Sequence, residues 1–307
     1  MKILACDVSK DFLTPYAGAL ESNVPNNKEG IRKMLLAHPE HIVACEATSS
    51  YHMELVDAAY KMGREVFVVN PKEARNYKDS MSFRAKTDPL DARYLYEFVS
   101  RNHDLLRPYT PICQELLELK SLISQRALVQ ESRLAMAASF GKNTSPEQET
   151  ALSGLSALVG SYEKKIKEIA SKYESYKRVL KIPGVGPIIA CALVFVLESR
   201  AFDSAEAVIA FLGLDVRIRQ SGRYKGQPKL TKRGDSILRY LLCIAGRCLV
   251  NSNVGKAKKT QLLAQGRHLP ERMVIGARKV LRTAWHLHTA KVDFDPEKWT
   301  WGLTARG

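Results

Sequence analysis

Several features that would narrow the function are missing from this 307-residue chain. No stretch reaches the roughly 18 uncharged apolar residues of a membrane span. The run that begins at Met1 is too short for a signal peptide and is interrupted by Asp7. The six cysteines include no CxxC pair, so neither a zinc knuckle nor a disulfide framework is indicated. These absences favour a reduced, cytosolic compartment and a protein that does not enter the membrane.

Acidic residues are scarce in one part of the chain. The sequence has 47 Lys and Arg against 32 Asp and Glu, a net charge of +15. Residues 1–110 are balanced, with 15 basic and 15 acidic side chains, whereas 179–307 contain 22 and 9. Within 217–282 there are 17 basic residues and two acids, Asp235 and Glu271. Solvated surfaces normally mix both signs, so we expect this segment to contact nucleic acid rather than a membrane surface.

Short strands alternate with helices over the first hundred residues. Apolar runs bounded by turn residues predict the strands, and helical spacing follows them. The predicted strands are Lys2–Cys6, Phe12–Ala17, His41–Cys45 and Glu65–Val69, and the predicted helices are Asn27–Ala37, Tyr51–Met62 and a segment from about Asp88 to Ser100. This order is typical of a mixed α/β sheet. We therefore assign 1–110 to one α/β domain.

The segment 111–178 has apolar residues at the spacing of a coiled-coil seam. Its two series are Ile112, Leu116, Leu119 and Ile123, and then Tyr162, Ile166, Ile169, Tyr173, Tyr176 and Leu180. A polar stretch at 141–148 separates them. The pattern predicts either a helical hairpin that packs on itself or a coiled coil between two copies of the chain. In both cases the segment is a helical connector.

Four acidic residues are candidates for a common site. Asp7 and Glu46 each end a predicted strand, and parallel neighbouring strands would bring the two side chains together. Asp88 and Asp91 are three positions apart at a helix start, so both can face one way. Clustered carboxylates need cations, and their hard oxygen ligands suit Mg²⁺ or Mn²⁺ in a two-metal phosphoryl-transfer site. Alternatively, Asp88 is a helix N-cap and Asp91 completes a capping box.

We expect the last segment, 179–307, to be all-α. Glycines mark a tight turn near its start. Helical residues surround Gly184 and Gly186 in IPGVGP, the pattern of a helix-hairpin-helix. The backbone N–H groups of such a turn can approach a phosphate without reading base sequence. Two helices that simply pack together can also need such a turn.

Ser221 lies between arginines in a basic, glycine-bearing stretch. Guanidinium groups could clamp a phosphodiester and stabilise a serine alkoxide that attacks it. No histidine neighbours Ser221 in sequence, and Ser-Gly is also a common turn. The candidate nucleic-acid contacts around it are Arg217, Arg219, Arg223, Lys225, Lys229, Lys232, Arg233 and Arg239.

In this order the motifs resemble the DEDD transposases of bacterial insertion sequences, which join a RuvC-like domain to a serine-bearing transposase domain and have the Piv-type DNA invertases as relatives. The resemblance extends over nearly the whole chain; one departure is Ser49, where many members have glycine. Its motifs are DVSK at Asp7, EATSSY at Glu46, KTDPLDAR at Asp88 and Asp91, IPGVG at Ile182, FLGL at Phe211, QSG at Ser221 and TKRGD at Thr231.

The resemblance implies a fold and a chemistry. It implies an RNase H/RuvC-like mixed sheet over 1–110, a coiled-coil connector over 111–178 and a helical transposase domain with a helix-hairpin-helix over 179–307. Asp7, Glu46, Asp88 and Asp91 would bind Mg²⁺ or Mn²⁺, and Ser221 would form a covalent phosphoserine with DNA.

The resemblance also implies partners. A noncoding bridge RNA would guide the exchange of target and donor DNA in the bacterial cytoplasm, at the nucleoid during the reaction. Homodimers would assemble into a tetramer in which acids of one subunit meet the serine of another. The alternative function is a structure-specific nuclease, similar to a Holliday-junction resolvase, that uses activated water. A third possibility is a noncatalytic nucleic-acid-binding protein with structural acids.

Overall fold

The computed structural model describes residues 1–47, 50–80, 88–217, 220–221, 224–225 and 228–301. It divides the chain into two compact units, Met1–Pro111 and Ile112–Gly307. Two predicted contact residues, Arg219 and Arg223, lie outside the described residues. For a few further residues only the backbone is described; these are Ser80, Asp88, Pro89, Gln220, Ser221, Tyr224 and Lys225.

The first unit is built on a five-stranded mixed sheet with the order β3-β2-β1-β4-β5. Its strands are β1 (Ile3–Val8), β2 (Phe12–Tyr16), β3 (Val24–Pro25), β4 (Ile42–Glu46) and β5 (Val66–Val69). The central strand β1 is antiparallel to β2 and parallel to β4, and β4 is parallel to β5. The predicted mixed α/β sheet is therefore confirmed.

Helices cover both faces of this sheet. They are α1 (Lys28–Ala37), α2 (Met53–Lys61), α3 (Pro71–Ser80) and α4 (Asp88–Asn102). The strand side chains Leu4, Cys6 and Val43 pack with the buried residues of α1 and α2. On the opposite face, Ile3 and Ala44 pack with those of α3 and α4. This division gives each strand residue a defined side of the sheet.

Local polar contacts fix the ends of these elements. The side chain of Asn27 accepts a hydrogen bond from the Gly30 amide and caps α1, as its position before an apolar helix suggests. At the other end of α1, the Arg64 guanidinium donates to the backbone carbonyls of Leu35 and His38. Arg64 thereby satisfies carbonyl groups that a helix end leaves without intrahelical partners.

The second unit is mainly helical. Its helices are α5 (Gln114–Phe140), α6 (Pro146–Ala170), α7 (Glu174–Leu180), α8 (Pro187–Glu198), α9 (Ala205–Phe211), α10 (Ser236–Asn251), α11 (Lys256–Ala264) and α12 (Leu269–Thr289). Between α9 and α10 lie four two-residue strands, β6 (Val216–Arg217), β7 (Gln220–Ser221), β8 (Tyr224–Lys225) and β9 (Lys229–Leu230). The expectation of an all-α segment after residue 179 is therefore wrong over 216–230.

One apolar core joins the helices of this unit. Leu119 of α5 and Ile166 of α6 belong to the same buried cluster as Leu193 of α8 and Leu281 of α12. The predicted connector thus shares its core with the segment that follows it. The division of the chain into 1–110, 111–178 and 179–307 stays a prediction.

The helices α5 and α6 form a hairpin that packs on itself only in part. A capping box at Ser145 begins α6, and Arg126 forms an ion pair with Glu163 at 2.6 Å across the two helices. Burial in α5 extends from Leu116 to Ile123. Further along α5, Leu128 (65%) and Leu134 (52%) are exposed, as is Leu158 (42%) of α6. A coiled coil between copies of the chain stays a prediction.

Among the described residues, no helix is both long enough and apolar enough to cross a membrane.

Candidate functional site

The register of the sheet brings two of the predicted acids together. Strands β1 and β4 pair in parallel, with Ala5 opposite Ala44 and Cys6 opposite Cys45. The same register places Glu46 beside Asp7 at the carboxyl edge of the sheet. Side chains alternate along a strand, so Asp7 is on the face of Ala5 and Glu46 on the face of Ala44, which α3 and α4 cover. Both acids are half-buried.

Helix α4 begins at this same edge. The rings of Tyr96 and Tyr16 are in contact at 5.3 Å, and Tyr16 pairs with Ala5 in the sheet. After α4 the chain returns to the opposite edge, where the Tyr109 amide donates to the Val66 carbonyl at 2.7 Å. The amino end of α4, with Asp88 and Asp91, therefore lies toward the carboxyl ends of β1 and β4.

Asp91 faces the sheet from α4. It precedes the buried residues Leu95 and Val99 by one and two helical turns, and residues at this spacing share one face of a helix. The Asp91 side chain is 15% exposed and forms an ion pair with Lys78 of α3 at 2.8 Å. The three acids Asp7, Glu46 and Asp91 thus lie on one side of the sheet. For Asp88 only the backbone is described, at the first position of α4.

A complete metal-binding cluster is not formed within the described part of the chain. There, no three His, Cys, Asp or Glu side chains come close enough together to hold a metal ion. The Asp88 side chain lies outside that part, and the Lys78 ammonium supplies the positive charge next to Asp91. The four-carboxylate site and its Mg²⁺ or Mn²⁺ stay a prediction.

The two thiols next to the acids in sequence are poor candidates for chemistry. Cys6 and Cys45 point to the opposite face and are fully buried. Burial raises the pKa of Cys6 well above its usual value and raises the pKa of Cys45 to about 12. Both therefore stay protonated near neutral pH, whereas nucleophilic or metal-ligating cysteines are thiolates.

Asn26 ties together the loops that follow the two acidic strands. Its side-chain amide donates to the backbone carbonyl of Ser9, at 2.8 Å, and to that of Tyr51, at 3.2 Å. Ser9 is two residues beyond Asp7 and Tyr51 is five beyond Glu46. Sequence reasoning missed this residue and missed Lys78, because neither lies in a motif of acids. Both help to position the edge that holds the acids.

Ser221 lies at the closed end of a β-hairpin. It is the last residue of β7 and pairs with Tyr224 of β8, and Gln220 pairs with Lys225. In a separate two-stranded sheet, Val216 and Arg217 of β6 pair with Leu230 and Lys229 of β9. The Ser221 side chain is not among those described. The structure therefore positions the backbone of the predicted nucleophile on a strand, not in an irregular loop.

The β6–β9 pair is held by close contact between the residues that flank it. The Thr231 amide donates to the Asp215 carbonyl at 3.1 Å, and the Thr231 hydroxyl donates to the Asp215 carboxylate. Gly213, with a φ of 65°, lies against the loop before α10: an added Cβ would be 2.7 Å from the Lys232 carbonyl carbon. The FLGL and TKRGD motifs therefore meet next to the β6–β9 pair.

The basic residues that are predicted to contact nucleic acid differ in their surroundings. Arg239 donates to the backbone carbonyls of Leu212, at 3.3 Å, and Gly234, at 2.8 Å, so it also has a structural role. Asp235, between the basic residues, caps α10 by accepting from two amides. The described residues Arg217, Lys229, Lys232 and Arg233 are exposed. Of Lys225 only the backbone is described. All these contacts with nucleic acid stay predictions.

The glycine turn between α7 and α8 has a packing role. Gly184 has a φ of 88°, and a Cβ there would lie 2.5 Å from the Leu249 amide and 2.8 Å from the Ala245 carbonyl. The glycine thus allows the turn to contact α10. Gly186 precedes α8 as its N-cap, and a Cβ there would meet nothing within 4 Å. Phosphate binding by this turn, as a helix-hairpin-helix, stays a prediction.

The mixed sheet with acids at its carboxyl edge is compatible with an RNase H-like DEDD domain. Comparison with known proteins gives two family matches. A family described as Transposase, of the DEDD type of IS110, matches residues 17–140. A second, described as Transposase IS116/IS110/IS902 family, matches residues 176–261.

Individual transposases are also similar to this chain. The transposase for insertion sequence element IS1111A of Coxiella burnetii is 30% identical over 44% of this chain and 39% of its own length. The putative transposase y4pF/y4sB of Sinorhizobium fredii is 25% identical over 94% and 84%. The probable family 20 transposase of Pseudomonas aeruginosa is 28% identical over 49% and 46%.

Together these matches show that this chain is similar to transposases, including one of an insertion sequence. The matched segments cover less than half the length of two of the three relatives. Glu46, Asp88 and Asp91 lie within the first family match and Ser221 within the second, whereas Asp7 precedes both.

Proposed function

We propose that the protein is a DNA transposase or site-specific recombinase of an insertion sequence, which cleaves and exchanges DNA strands. The observation that supports this most strongly is the shared position of Asp7, Glu46 and Asp91 on one side of the sheet at its carboxyl edge. Two further observations support the proposal. Ser221 lies on a strand within a basic segment, and two transposase families match the chain. The substrate is DNA, whose phosphates suit the positive charge of the second unit.

In this proposal the four acids bind divalent cations. Asp7, Glu46, Asp88 and Asp91 offer only carboxylate oxygens, the ligands that Mg²⁺ and Mn²⁺ prefer. When bound, a pair of such ions stabilises the attacking and leaving oxygens of an in-line displacement. Within the described part of the chain, Lys78 is the cation paired with Asp91 at 2.8 Å. Lys78 therefore holds this half-buried carboxylate in position beside α3.

Ser221 is the proposed nucleophile. Its Oγ attacks the phosphorus of the scissile phosphodiester, and the bond from phosphorus to the 3′ oxygen breaks. The serine proton passes to a base, and the leaving oxygen takes up a proton to become a free 3′-OH. The 5′ strand remains attached as a phosphoserine ester. Exposed cations of the β6–β9 pair, such as Arg217 and Lys229, would hold the non-bridging oxygens.

A trapping experiment tests this chemistry. The purified chain is incubated with Mg²⁺ and end-labelled target DNA, denatured and run on a gel that separates free from protein-linked label. We expect a denaturation-stable adduct that Ser221→Ala abolishes. Ser153→Ala is the matched control, because Ser153 is an exposed residue within α6. No adduct with the wild type, or an adduct that persists in Ser221→Ala, would contradict the serine mechanism.

The alternative is a structure-specific nuclease in which water is the nucleophile. It shares the metal-binding acids but assigns Ser221 to phosphate binding only. The same gel distinguishes the two: a nuclease gives metal-dependent cleavage without an adduct, and Ser221→Ala weakens cleavage without abolishing it. Asp91→Asn is expected to abolish the reaction in both cases, whereas a noncatalytic binding protein would show no reaction at all.

We also propose a noncoding bridge RNA as guide and a dimer that assembles to a tetramer. The exposed leucines Leu128, Leu134 and Leu158 on the α5–α6 hairpin support an apolar contact between copies. No histidine neighbours Ser221 in sequence to act as its base. If the serine of one subunit meets the acids of another, that other subunit supplies the base. Sequencing of RNA that co-purifies with the chain tests the guide. Mixing Ser221→Ala subunits with Asp91→Asn subunits tests whether two subunits form one active site, since only mixed oligomers would regain activity.

A further inference from the structure

A small groove in the second unit collects positive charge that the motifs around Ser221 do not include. It lies between α10, α11 and the start of α12 and is lined by Arg247, Lys259 and Arg272, together with Asn251 and apolar side chains. Among the residues that the structure describes, no acidic side chain lines this groove. Three like charges at one groove repel one another unless an anion lies between them.

The protein does not itself supply that anion. Within the described ranges, none of the three cations forms an ion pair, and the Nε of Arg272 is buried without a hydrogen-bond acceptor. From Ser236 to Pro270 the sequence contains no acid, and Glu271 is paired with Arg267 at 3.6 Å. A buried donor without an acceptor is costly, so an external acceptor would stabilise this arrangement.

Helix geometry adds to the preference for an anion. Arg272 lies in the first turn of α12, whose N-cap residue His268 makes no side-chain capping hydrogen bond. A helix N-terminus carries partial positive charge, which Glu271 of the same turn offsets only in part because it is paired with Arg267. An anion is therefore favoured there. The cations converge because Gly246 of α10 and Gly276 of α12 allow backbone contact between the helices. Arg247 is next to the first of these glycines.

The size of the groove limits the class of ligand. Its volume is about 20 Å³, room for little more than one water molecule, so a nucleoside or a metabolite does not fit inside. A compact anionic group that approaches from the surface can reach all three cations. We propose that Arg247, Lys259 and Arg272 bind a backbone phosphate of DNA. This assignment rests on the proposed transposase function and adds a contact remote in sequence from Ser221.

Binding of a labelled DNA duplex by the full-length chain tests the site. The triple variant Arg247→Gln, Lys259→Gln, Arg272→Gln is compared with Lys164→Gln, Lys165→Gln, Lys167→Gln, which removes three exposed charges from α6. We expect the groove variant to bind about tenfold more weakly at moderate salt, with a salt slope lower by about 1. The control is expected to change affinity by less than about threefold.

Equal loss in both triple variants would overturn the site, because net charge alone would then explain it. Loss of affinity for a structured RNA with DNA binding unchanged would overturn the assignment to DNA. Inorganic phosphate at constant ionic strength should weaken DNA binding by the wild type more than by the groove variant. If the triple variant does not fold, Arg247→Gln replaces it, since this side chain is exposed.

The DNA-binding test of the groove and the adduct test of the proposed function can fail independently. A wild type that forms the Ser221 adduct but whose affinity is indifferent to the groove substitutions overturns the site and leaves the transposase proposal standing. A wild type that binds no DNA overturns both. Reduced DNA affinity in the groove variant, with the adduct still formed at high DNA concentration, supports both.

Discussion

The contact between α10 and α12 predicts that a single methyl group at Gly246 destabilises the second unit. A Cβ on Gly246 would lie 2.8 Å from the Gly276 carbonyl carbon and would overlap backbone atoms of Ala277 and Met273. Carbon atoms in contact are normally about 3.5–4.0 Å apart, so the helices must separate by about 1 Å. Backbone atoms cannot turn aside as a side chain can. The overlap therefore costs packing along the whole helix pair.

The expected cost exceeds the helix-forming advantage of alanine. Overpacking of this kind destabilises by about 3 kcal/mol, whereas alanine is favoured over glycine in a helix by about 1 kcal/mol. For a unit of this size, a net loss of about 2 kcal/mol lowers the melting temperature by about 4–8 °C. Thermal unfolding followed by circular dichroism, with urea unfolding as a second measure, tests Gly246→Ala.

A matched substitution should have the opposite sign. Gly154 and Gly160 lie inside α6, and a Cβ at either would meet nothing within 4 Å. Gly154→Ala is therefore expected to stabilise by about 0.5–1 kcal/mol. The reasoning is refuted if Gly246→Ala is as stable as the wild type, or if Gly154→Ala is destabilised to the same extent. Either result would mean that the close helix contact does not limit the side chain.

Three further predictions concern single side chains. Asn26→Ala removes two hydrogen bonds between loops and should lower the free energy of unfolding by about 1–2 kcal/mol; an unchanged urea midpoint would contradict this. Lys78→Met removes the cation next to Asp91 and should tighten Mn²⁺ binding about tenfold in calorimetry, whereas unchanged or weaker binding would argue against a metal at that carboxylate. Cys113 and Cys248 are the exposed cysteines of the six, so two thiols should react rapidly with a disulfide reagent before unfolding, and a larger rapid count would show that the buried thiols are accessible.

Most of the first unit could be predicted because its strands and helices have distinct apolar patterns. The predicted strand His41–Cys45 differs by one residue at each end from β4, and the predicted helix Asn27–Ala37 includes its N-cap. Helix α3 was missed because it is polar, with Ala74 its one buried residue among those described. An element with a single apolar contact has no periodicity to detect.

Sequence can predict those residues of the candidate site that lie at the ends of strands. Asp7 and Glu46 are expected to meet because parallel strands bring their carboxyl ends together. Strands β1 and β4 are indeed parallel, and the site that the two acids would form stays a prediction. Lys78 could not be found this way, since its ion pair with Asp91 depends on how α3 packs beside α4. Similarly, sequence shows that Arg239 is a cation in a basic segment but not that backbone carbonyls lie within its reach.

The second unit was harder because its strands are short. Each of the four strands around Ser221 has two residues, too few for an alternating pattern. Their residues also include several Arg and Lys, which sequence reasoning interpreted as a charged loop. Only the register, with Ser221 opposite Tyr224, shows that the serine is held by strand pairing.

The partly exposed α5–α6 hairpin sets a length for any assembly that uses it. From Ile123, the last buried residue of α5, to Phe140 at its end, the helix rises by about 25 Å at 1.5 Å per residue. That is about seven base pairs of duplex DNA at 3.4 Å each. A second copy that contacted only the exposed end of the hairpin would therefore keep the two helical cores tens of ångströms apart. Shortening both helices by whole turns would change this distance in steps of about 5.4 Å without touching either core.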